Sequence, residues 1–385
     1  MDVTDSNMNA SKENSNLEPP KEILCPNVQE PDIIQHLKVN YGLTISKVSR
    51  LNGYDDCNFN VQAEKEHSNP NIQQIAPNGY FVKVSNIMDS ENPEMLHAQM
   101  QAMQHLVNKG ILCQSSVKSI QNQDFTDIKA TTKAGEERTH KVSVRTFLPG
   151  ELLAKATLTP GALYNIGAYV AKVTQALEDF HHPFYDTFDC LWNLGNVPKV
   201  AKVTHAVKDE KRRRICEEVL KAFDDEVIPQ KPNFRKGQIH GDLNEQNILV
   251  SEVDSVANDI QVCGLLDFQD CAFSHPVYDL AINAGYMMMV ESTQVPRPQI
   301  PGYLLAGYSS VLCLNQAEEK VFHTLAASRM VQSLVYGAYT YWLDPSNEYL
   351  LETAKCGWDA LVTFWKTPRE TVESDWKRII GSYKP

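Results

Sequence analysis

The segment Ile239-His240-Gly241-Asp242-Leu243-Asn244-Glu245-Gln246-Asn247-Ile248 sets a carboxylate and a carboxamide five residues apart. Leu265-Leu266-Asp267-Phe268 adds a second carboxylate twenty-five residues after Asp242. Oxygen ligands from only a few side chains are what Mg2+ takes when phosphates and water fill its other positions. A carboxylate beside such a site can accept the proton of an attacking hydroxyl. The set therefore points to phosphoryl transfer, which asks for positioning and charge neutralisation more than covalent help. Asp242 is the expected proton acceptor, and Asn247 and Asp267 are the expected metal ligands. His240 is expected to hold the loop so that Asp242 keeps its rotamer. His-Gly-Asp-x-x-x-x-Asn arises by chance in about one chain in several hundred of this length. The alternative is a buried turn whose Asp and Asn only cap backbone groups.

The elements around these motifs fall into two halves. Over residues 23–148 the signals are mostly strand. Ile45 to Leu51 and Phe59 to Ala63 flank a turn at Asn52-Gly53. Tyr80 to Ser85 is a third strand, with Lys83 in its middle. A lysine inside an apolar strand wants an anion. Asn92-Pro93 opens a helix with an N-cap and a first-turn proline, and Gly110 closes it. Two more strands are expected near Gln114 to Ile128 and Lys141 to Phe147. Pro149-Gly150 then punctuates the chain. Residues 149–385 read as mainly helical, beginning at Thr159-Pro160, with a strand-rich interruption from Ile239 to Phe268 that holds the motifs. Leu325 to Leu343 is a core helix interrupted by Arg329 and Gln332. Residues 1–22 are polar and end near Pro19-Pro20, and are expected to be a disordered tail.

Strand-strand-strand-helix-strand-strand followed by His240-Gly241-Asp242, Asn247 and Asp267-Phe268 resembles the aminoglycoside phosphotransferase and choline kinase group. The likeness runs from about residue 30 to 380. It passes through Tyr54 to Phe59, Phe147 to Gly150, Phe180 to Pro183, Trp192 to Pro198 and Thr353 to Trp358. It implies an α+β, bilobal protein-kinase-like fold, with a small five-stranded lobe carrying one helix and a larger, mostly helical lobe. It implies a small-molecule kinase using Mg2+ and GTP or ATP, with the hydroxyl of an aliphatic amino alcohol, 5-hydroxy-L-lysine, as acceptor. Choline, ethanolamine or an aminoglycoside is the alternative acceptor, and an inactive nucleotide-binding scaffold is the reading of another class. Lys83 is then expected on the nucleotide phosphates, with Gln99 near the place of its usual helical partner. Gly53, Tyr54 and Asn58 belong to the phosphate-covering loop, and Thr146, Phe147 and Leu148 to the hinge. Asp270, Asn244 and Trp192 are expected at the acceptor. Asp279 either ties down the catalytic-loop backbone or caps its helix. Asp55 and Asp56, beside an anionic nucleotide, either turn outward or help hold cations. Gln269 in place of the glycine of Asp-Phe-Gly implies a fixed loop, since glutamine lacks glycine's backbone freedom. The chain passes from Asp267 into a helix within about a dozen residues. That leaves no long activation segment and favours a small-molecule substrate.

Composition narrows the partners. The chain has 385 residues, 42% hydrophobic and 22% charged, with a formal net charge of −12. That charge argues against nucleic acid, whose binding rests on clustered Lys and Arg. Lys211-Arg212-Arg213-Arg214 is bracketed by acids and reads as a solvated helix face. Nine cysteines without a C-x-x-C pair point to reduced thiols and a cytoplasmic setting. No apolar run is long enough to span a membrane. No obligate protein partner is evident.

Overall fold

The structure, a computed structural model, describes residues 25–53, 55–132, 135–252, 260–346 and 354–383. The expected tail over residues 1–22 and Tyr54 lie outside the described residues.

Alternation builds the first half. Tyr80, Val82 and Val84 are buried on one face of their strand, as are Cys57, Phe59 and Val61 on theirs. The strands are β1 (Pro26–Asn27), β2 (Leu43–Leu51), β3 (Cys57–His67), β4 (Tyr80–Val84), β5 (Phe125–Thr132) and β6 (Glu137–Thr146). They form one antiparallel sheet in the order β1-β5-β6-β4-β3-β2. Helix α1 (Glu30–Tyr41) covers one face, where Ile33, Leu37 and Tyr41 join Phe59, Val82 and Val144 in an apolar cluster. The short α2 (Ile87–Ser90) and α3 (Pro93–Asn108) follow β4. Asn92 caps α3 by accepting the Met95 N–H at 3.2 Å.

The five expected strands and the expected helix are present, joined by β1, α1 and α2. The stripe of α1 is thin, with its apolar residues set among Gln, His, Lys and Asn, and it starts from Gln29, a weak cap. The fourth expected strand begins later than the sequence indicated, at Phe125. Residues 115–117 instead pair with β6 through separate bonds, from Val117 N–H to Val144 O and from Thr146 N–H to Ser115 O.

The second half contains β7 (Glu151–Leu152), α4 (Pro160–Leu177) and α5 (Glu210–Ala222). A π turn leads from α5 to the one-turn α6 (Ile228–Gln230). Then come β8 (Gly237–Ile239), β9 (Ile248–Glu252), β10 (Ile260–Leu265), β11 (Ala272–Ser274), α7 (Pro276–Met289), α8 (Ile300–Ser309), α9 (Gln316–Leu343), α10 (Ala354–Lys366) and α11 (Arg369–Ser382). Two small sheets, β10-β9-β7 and β11-β8, carry the motif segments. The residues between Ile239 and Ile248 form the turn that joins β8 of one sheet to β9 of the other. Every residue of α7 is buried, which makes it a rigid platform beneath it. The basic run lies on α5, where Arg214 pairs with Glu210 at 2.5 Å and Arg213 with Glu217 at 4.0 Å, as a solvated face requires. Among the described residues no helix is long and apolar enough to cross a membrane.

The apolar cluster of this half does not stop at its first strand. Ala98, Ala102, Met103 and Leu106 of α3 belong to it, together with Leu163, Leu265 and Leu280.

Helices α4 and α8 meet backbone to backbone. A Cβ added to Gly307 would lie 1.9 Å from Tyr164 O, and one added to Gly167 would lie 2.0 Å from Leu304 O. Gly307→Ala therefore forces the helices apart, and overpacking of this kind costs about 1–3 kcal/mol. The expected outcome is a lowered unfolding midpoint in thermal denaturation. An unchanged midpoint would show slack at this crossing.

Candidate active site

The turn between β8 and β9 is held from beneath. Gly241 has φ +86°, and a Cβ there would fall 2.1 Å from Asp270 O, so glycine is required on both counts. Asp279 of α7 accepts the His240 N–H at 2.9 Å and the Gly241 N–H at 2.8 Å. Burial pushes its pKa up to about 6, and these two N–H groups oppose the rise. Of its two expected roles, Asp279 ties down the loop backbone; His275 occupies the cap position of α7. His240 lies between the two motifs. Its Nδ1 accepts the Asp242 N–H at 3.3 Å and its Nε2 donates to Leu266 O at 3.0 Å. Burial lowers its pKa to about 4, so the ring is neutral, as one donor and one acceptor nitrogen require.

Asp242 is surrounded by donors. Its Oδ2 accepts Asn244 Nδ2 at 2.7 Å and Asn247 Nδ2 at 2.8 Å. Its Oδ1 accepts Arg329 Nη2 at 2.6 Å. Burial raises the pKa of the carboxyl, and the Arg329 charge opposes that rise. Arg329 is 1% exposed in the middle of α9. It also donates to Trp192 O at 2.8 Å and Gln332 Oε1 at 2.9 Å, and it stands 5.3 Å from the Trp192 ring centre and 5.1 Å from that of Tyr286.

The sequence reading missed Arg329, treating it as an interruption of a core helix. The signal was available. A cation within an apolar helical stretch needs a buried anion for the same reason as Lys83.

Lys83 is 5% exposed and bonds Asp56 Oδ2 at 2.7 Å and Gln269 Oε1 at 3.0 Å, with Asp267 at 4.0 Å. Gln99 is not its partner, which corrects the sequence expectation. The Gln99 Nε2 is buried with no hydrogen bond. The carboxylate comes from the loop before β3 instead, and Asp56 turns inward. Its Oδ1 accepts the Asn86 N–H at 2.7 Å and Asn86 Nδ2 at 3.2 Å. The β3–β4 register explains this: Asn58 lies opposite Lys83 and Cys57 opposite Val84, so Asp56 reaches the end of β4.

Asp267 has φ +52°, a strained backbone for a residue other than glycine. Despite burial, Lys83 and Arg145 hold its pKa below the usual carboxylate range. Its side chain is 47% exposed, so its oxygens remain open to the cleft. The Nδ2 of Asn247 is committed to Asp242, which leaves Oδ1 as the atom that could ligate a metal. The Leu266 N–H bonds Asn247 O at 2.8 Å and brings the two motifs side by side. Two protein oxygens fit a hard cation that is completed by phosphate and water. Among the described residues no group of three or more His, Cys, Asp or Glu side chains is placed to hold a metal ion.

The other expected residues line the same region. A Cβ on Gly53 would come within 2.8 Å of Asp56 O, and Asn58 Nδ2 donates to Asn52 O at 3.3 Å, so the loop is tightly folded. The Thr146 and Phe147 N–H groups are used by Ser115 O and Gly79 O. Leu148 is buried beside Gly264. Cys190 Sγ lies 3.9 Å from Asp270 Oδ1, and burial and then Asp242 raise the pKa of Asp270. Trp192 covers Arg329. Arg145 was also missed. It is 3% exposed at the end of β6, its Nε has no partner, and Nη1 reaches only Met103 Sδ at 3.9 Å. Its signal was an inward-facing charge in Val142-Ser143-Val144-Arg145.

Residues 61–312 match the model of the phosphotransferase enzyme family. The chain belongs to that family. Hydroxylysine kinase of Bos taurus is 34% identical over 350 residues, covering 89% of this chain and 91% of its own. Hydroxylysine kinase of Xenopus laevis is 34% identical over 369 residues, covering 93% and 95%. Among solved structures, a microcompartment-associated aminopropanol kinase superposes with TM-score 0.64 at 17% identity, over 91% of this chain and all of that one. Amicoumacin kinase hAmiN in complex with AMP-PNP, Ca2+ and Ami gives 0.61 at 15%, over 93% and 96%. The fold is thus the α+β, bilobal kinase-like fold of this family, and the protein is a phosphotransferase.

Removing Arg329 would strand Asp242 without its cation. Breaking a buried pair costs about 3–5 kcal/mol. Arg329→Met is expected to lower both the unfolding midpoint and the turnover of the remaining folded enzyme. Calorimetry beside single-turnover kinetics reads both, and full activity in the folded fraction would limit Arg329 to stability.

Proposed function

We propose that this enzyme transfers the γ-phosphoryl group of GTP to the 5-hydroxyl of 5-hydroxy-L-lysine. The state of Asp242 carries the reading. A carboxylate has about four acceptor positions, and three are taken, by Arg329, Asn244 and Asn247. The one left on Oδ1 receives the acceptor hydroxyl. Asp242 orients that hydroxyl and takes its proton as the new bond forms, while Arg329 keeps the carboxylate ionised. Lys83 draws the α- and β-phosphates in line. Asn247 Oδ1 and Asp267 would hold Mg2+, which when bound would supply positive charge against the phosphoryl oxygens. Residues 23–148 act as the nucleotide-binding lobe, with Gly53 and Asn58 over the phosphates and Thr146 to Leu148 beside the base. Residues 149–385 bring the catalytic loop and the acceptor site.

Two features support the substrates. Relatives over about nine-tenths of the chain are hydroxylysine kinases. Asp270 and Asp242 give the acceptor site an acidic wall suited to the ammonium beside the 5-hydroxyl. Choline or ethanolamine shares that ammonium and is the second reading. For the donor, Arg145 places a buried guanidinium next to the hinge, in the field of Asp267 but with no ion pair among the described residues and with Nε unpartnered. Guanine offers two adjacent acceptors, O6 and N7, that a guanidinium can bond together, whereas adenine puts a donor beside N7. All nine cysteines are free thiols, in keeping with a cytoplasmic enzyme.

Asp242→Asn is expected to keep nucleotide affinity and lose at least about 100-fold in turnover. More than half the activity remaining in steady-state assays would remove Asp242 from the chemistry, and no turnover by the native chain with any acceptor would favour an inactive scaffold.

The acceptor and donor are tested together by comparing hydroxylysine, lysine, choline, ethanolamine and an aminoglycoside, each with GTP and ATP. Hydroxylysine with GTP is expected to give the highest kcat/KM. Arg145→Met is expected to lower the GTP-to-ATP ratio at least about fivefold, and an unchanged ratio would place donor choice elsewhere.

A further inference from the structure

Behind the phosphate-covering loop lies a pair of thiols that the reaction does not use. Cys57 opens β3 and is fully buried, while Cys25 precedes β1 and is half-buried. Their sulfurs are 3.8 Å apart. The Cys57 Sγ faces Arg50 Nη2 at 2.9 Å and Pro26 O at 2.8 Å. Arg50 has no carboxylate partner among the described residues; its other contacts are Val28 O at 3.1 Å and the Phe59 ring at 5.7 Å. A guanidinium against a sulfur stabilises the thiolate, the form that reacts. The hydrogen bond from Cys25 and then Arg50, against burial, bring the Cys57 pKa down to about 7. The pair is also wired to the nucleotide grip. Cys25 Sγ lies 3.7 Å from the backbone oxygen of Asp56, and Asp56 bonds Lys83 at 2.7 Å.

We propose that Cys25 and Cys57 form a reversible disulfide when the enzyme meets a hydroperoxide, and that this bond loosens its hold on the nucleotide. The more exposed Cys25 reacts first. Its thiolate attacks one peroxide oxygen, the O–O bond breaks, and Cys25 becomes a sulfenic acid. The Cys57 thiolate then attacks the Cys25 sulfur, the S–S bond forms, and hydroxide leaves and takes a proton. Two thiols and one hydrogen peroxide give one disulfide and two waters. Thiols in a reducing compartment that pair in this way are redox-sensing, not structural. The sulfurs must close from 3.8 Å to about 2.05 Å. That shift breaks the Cys25 contact to Asp56 O and the Arg50–Cys57 contact, and it displaces Asp56 beside Lys83. The effect on the nucleotide rests on the proposed role of Lys83; the disulfide itself does not.

The full chain is treated with hydrogen peroxide and mapped by mass spectrometry without reduction. Nucleotide affinity is measured by calorimetry with Mg2+ and GTP, and separately with ATP. A Cys25–Cys57 linkage is expected, with affinity lowered at least about tenfold, or ~1.4 kcal/mol, and restored by dithiothreitol. Cys25→Ser is expected to bind nucleotide normally and to resist the treatment. Cys25→Ala serves as a second variant should the hydroxyl disturb the loop. Both sulfurs remaining free, a loss that persists in both variants, or a linkage that leaves affinity unchanged would each overturn the proposal. If no acceptor is turned over, the kinase reading fails by itself, because linkage and affinity are read without catalysis.

Discussion

One buried ion pair organises the catalytic half. Arg329 sits in the middle of a 28-residue helix, where an unmatched guanidinium would cost several kcal/mol. Its Nη groups are held by the Asp242 carboxylate and the Trp192 carbonyl, from separate stretches of chain, and by Gln332 one turn along its own helix. Trp192 and Tyr286 close its two faces. The same charge that holds the Asp242 carboxylate thus fixes α9 against the segment around Trp192 and against α7. Arg329 acts on Asp242 together with Asn244 and Asn247, so the site is assembled by the core and not added to it.

The opposite wall of the cleft uses the same logic with a different donor of charge. Lys83, the proposed phosphate contact, is steadied by the carboxylate of Asp56, from the loop, and Gln269 assists from beside Asp267. Gln269 therefore does something glycine could not. It ties the metal-side loop to the sheet, which agrees with a segment built to stay in place. The inward turn of Asp56 also explains why an acidic pair can lie beside an anionic ligand: one of its members neutralises the lysine.

What was legible in the sequence was local. The caps at Asn92 and Thr159, the strand carrying Lys83, and the grouping of His240, Asp242, Asn247 and Asp267 all follow from contacts within a few residues or from a short motif. Helix α1 was overlooked because its buried stripe is narrow and its cap weak. Arg329, Arg145 and the partner of Lys83 were missed for a different reason. The charges they face come from other segments: Asp242 is 87 residues from Arg329, Asp56 comes from the loop before β3, and Asp267 of the second motif is the first carboxylate in the field of Arg145. Spacing does not reveal which anion a buried cation will meet. It reveals only that there must be one.

The apolar cluster that takes in α3 has a mechanical consequence. Ala98, Ala102, Met103 and Leu106 pack with the second half of the chain, whereas Ile33, Leu37, Phe59 and Val82 form a cluster of their own. The boundary between stiff bodies therefore does not coincide with the boundary in sequence at Leu148. If the cleft breathes, the sheet and α1 swing as one plate, while α3 stays with the larger mass. The flexure then falls on two thin straps, the link from β4 through α2 and the stretch between Ile111 and β5.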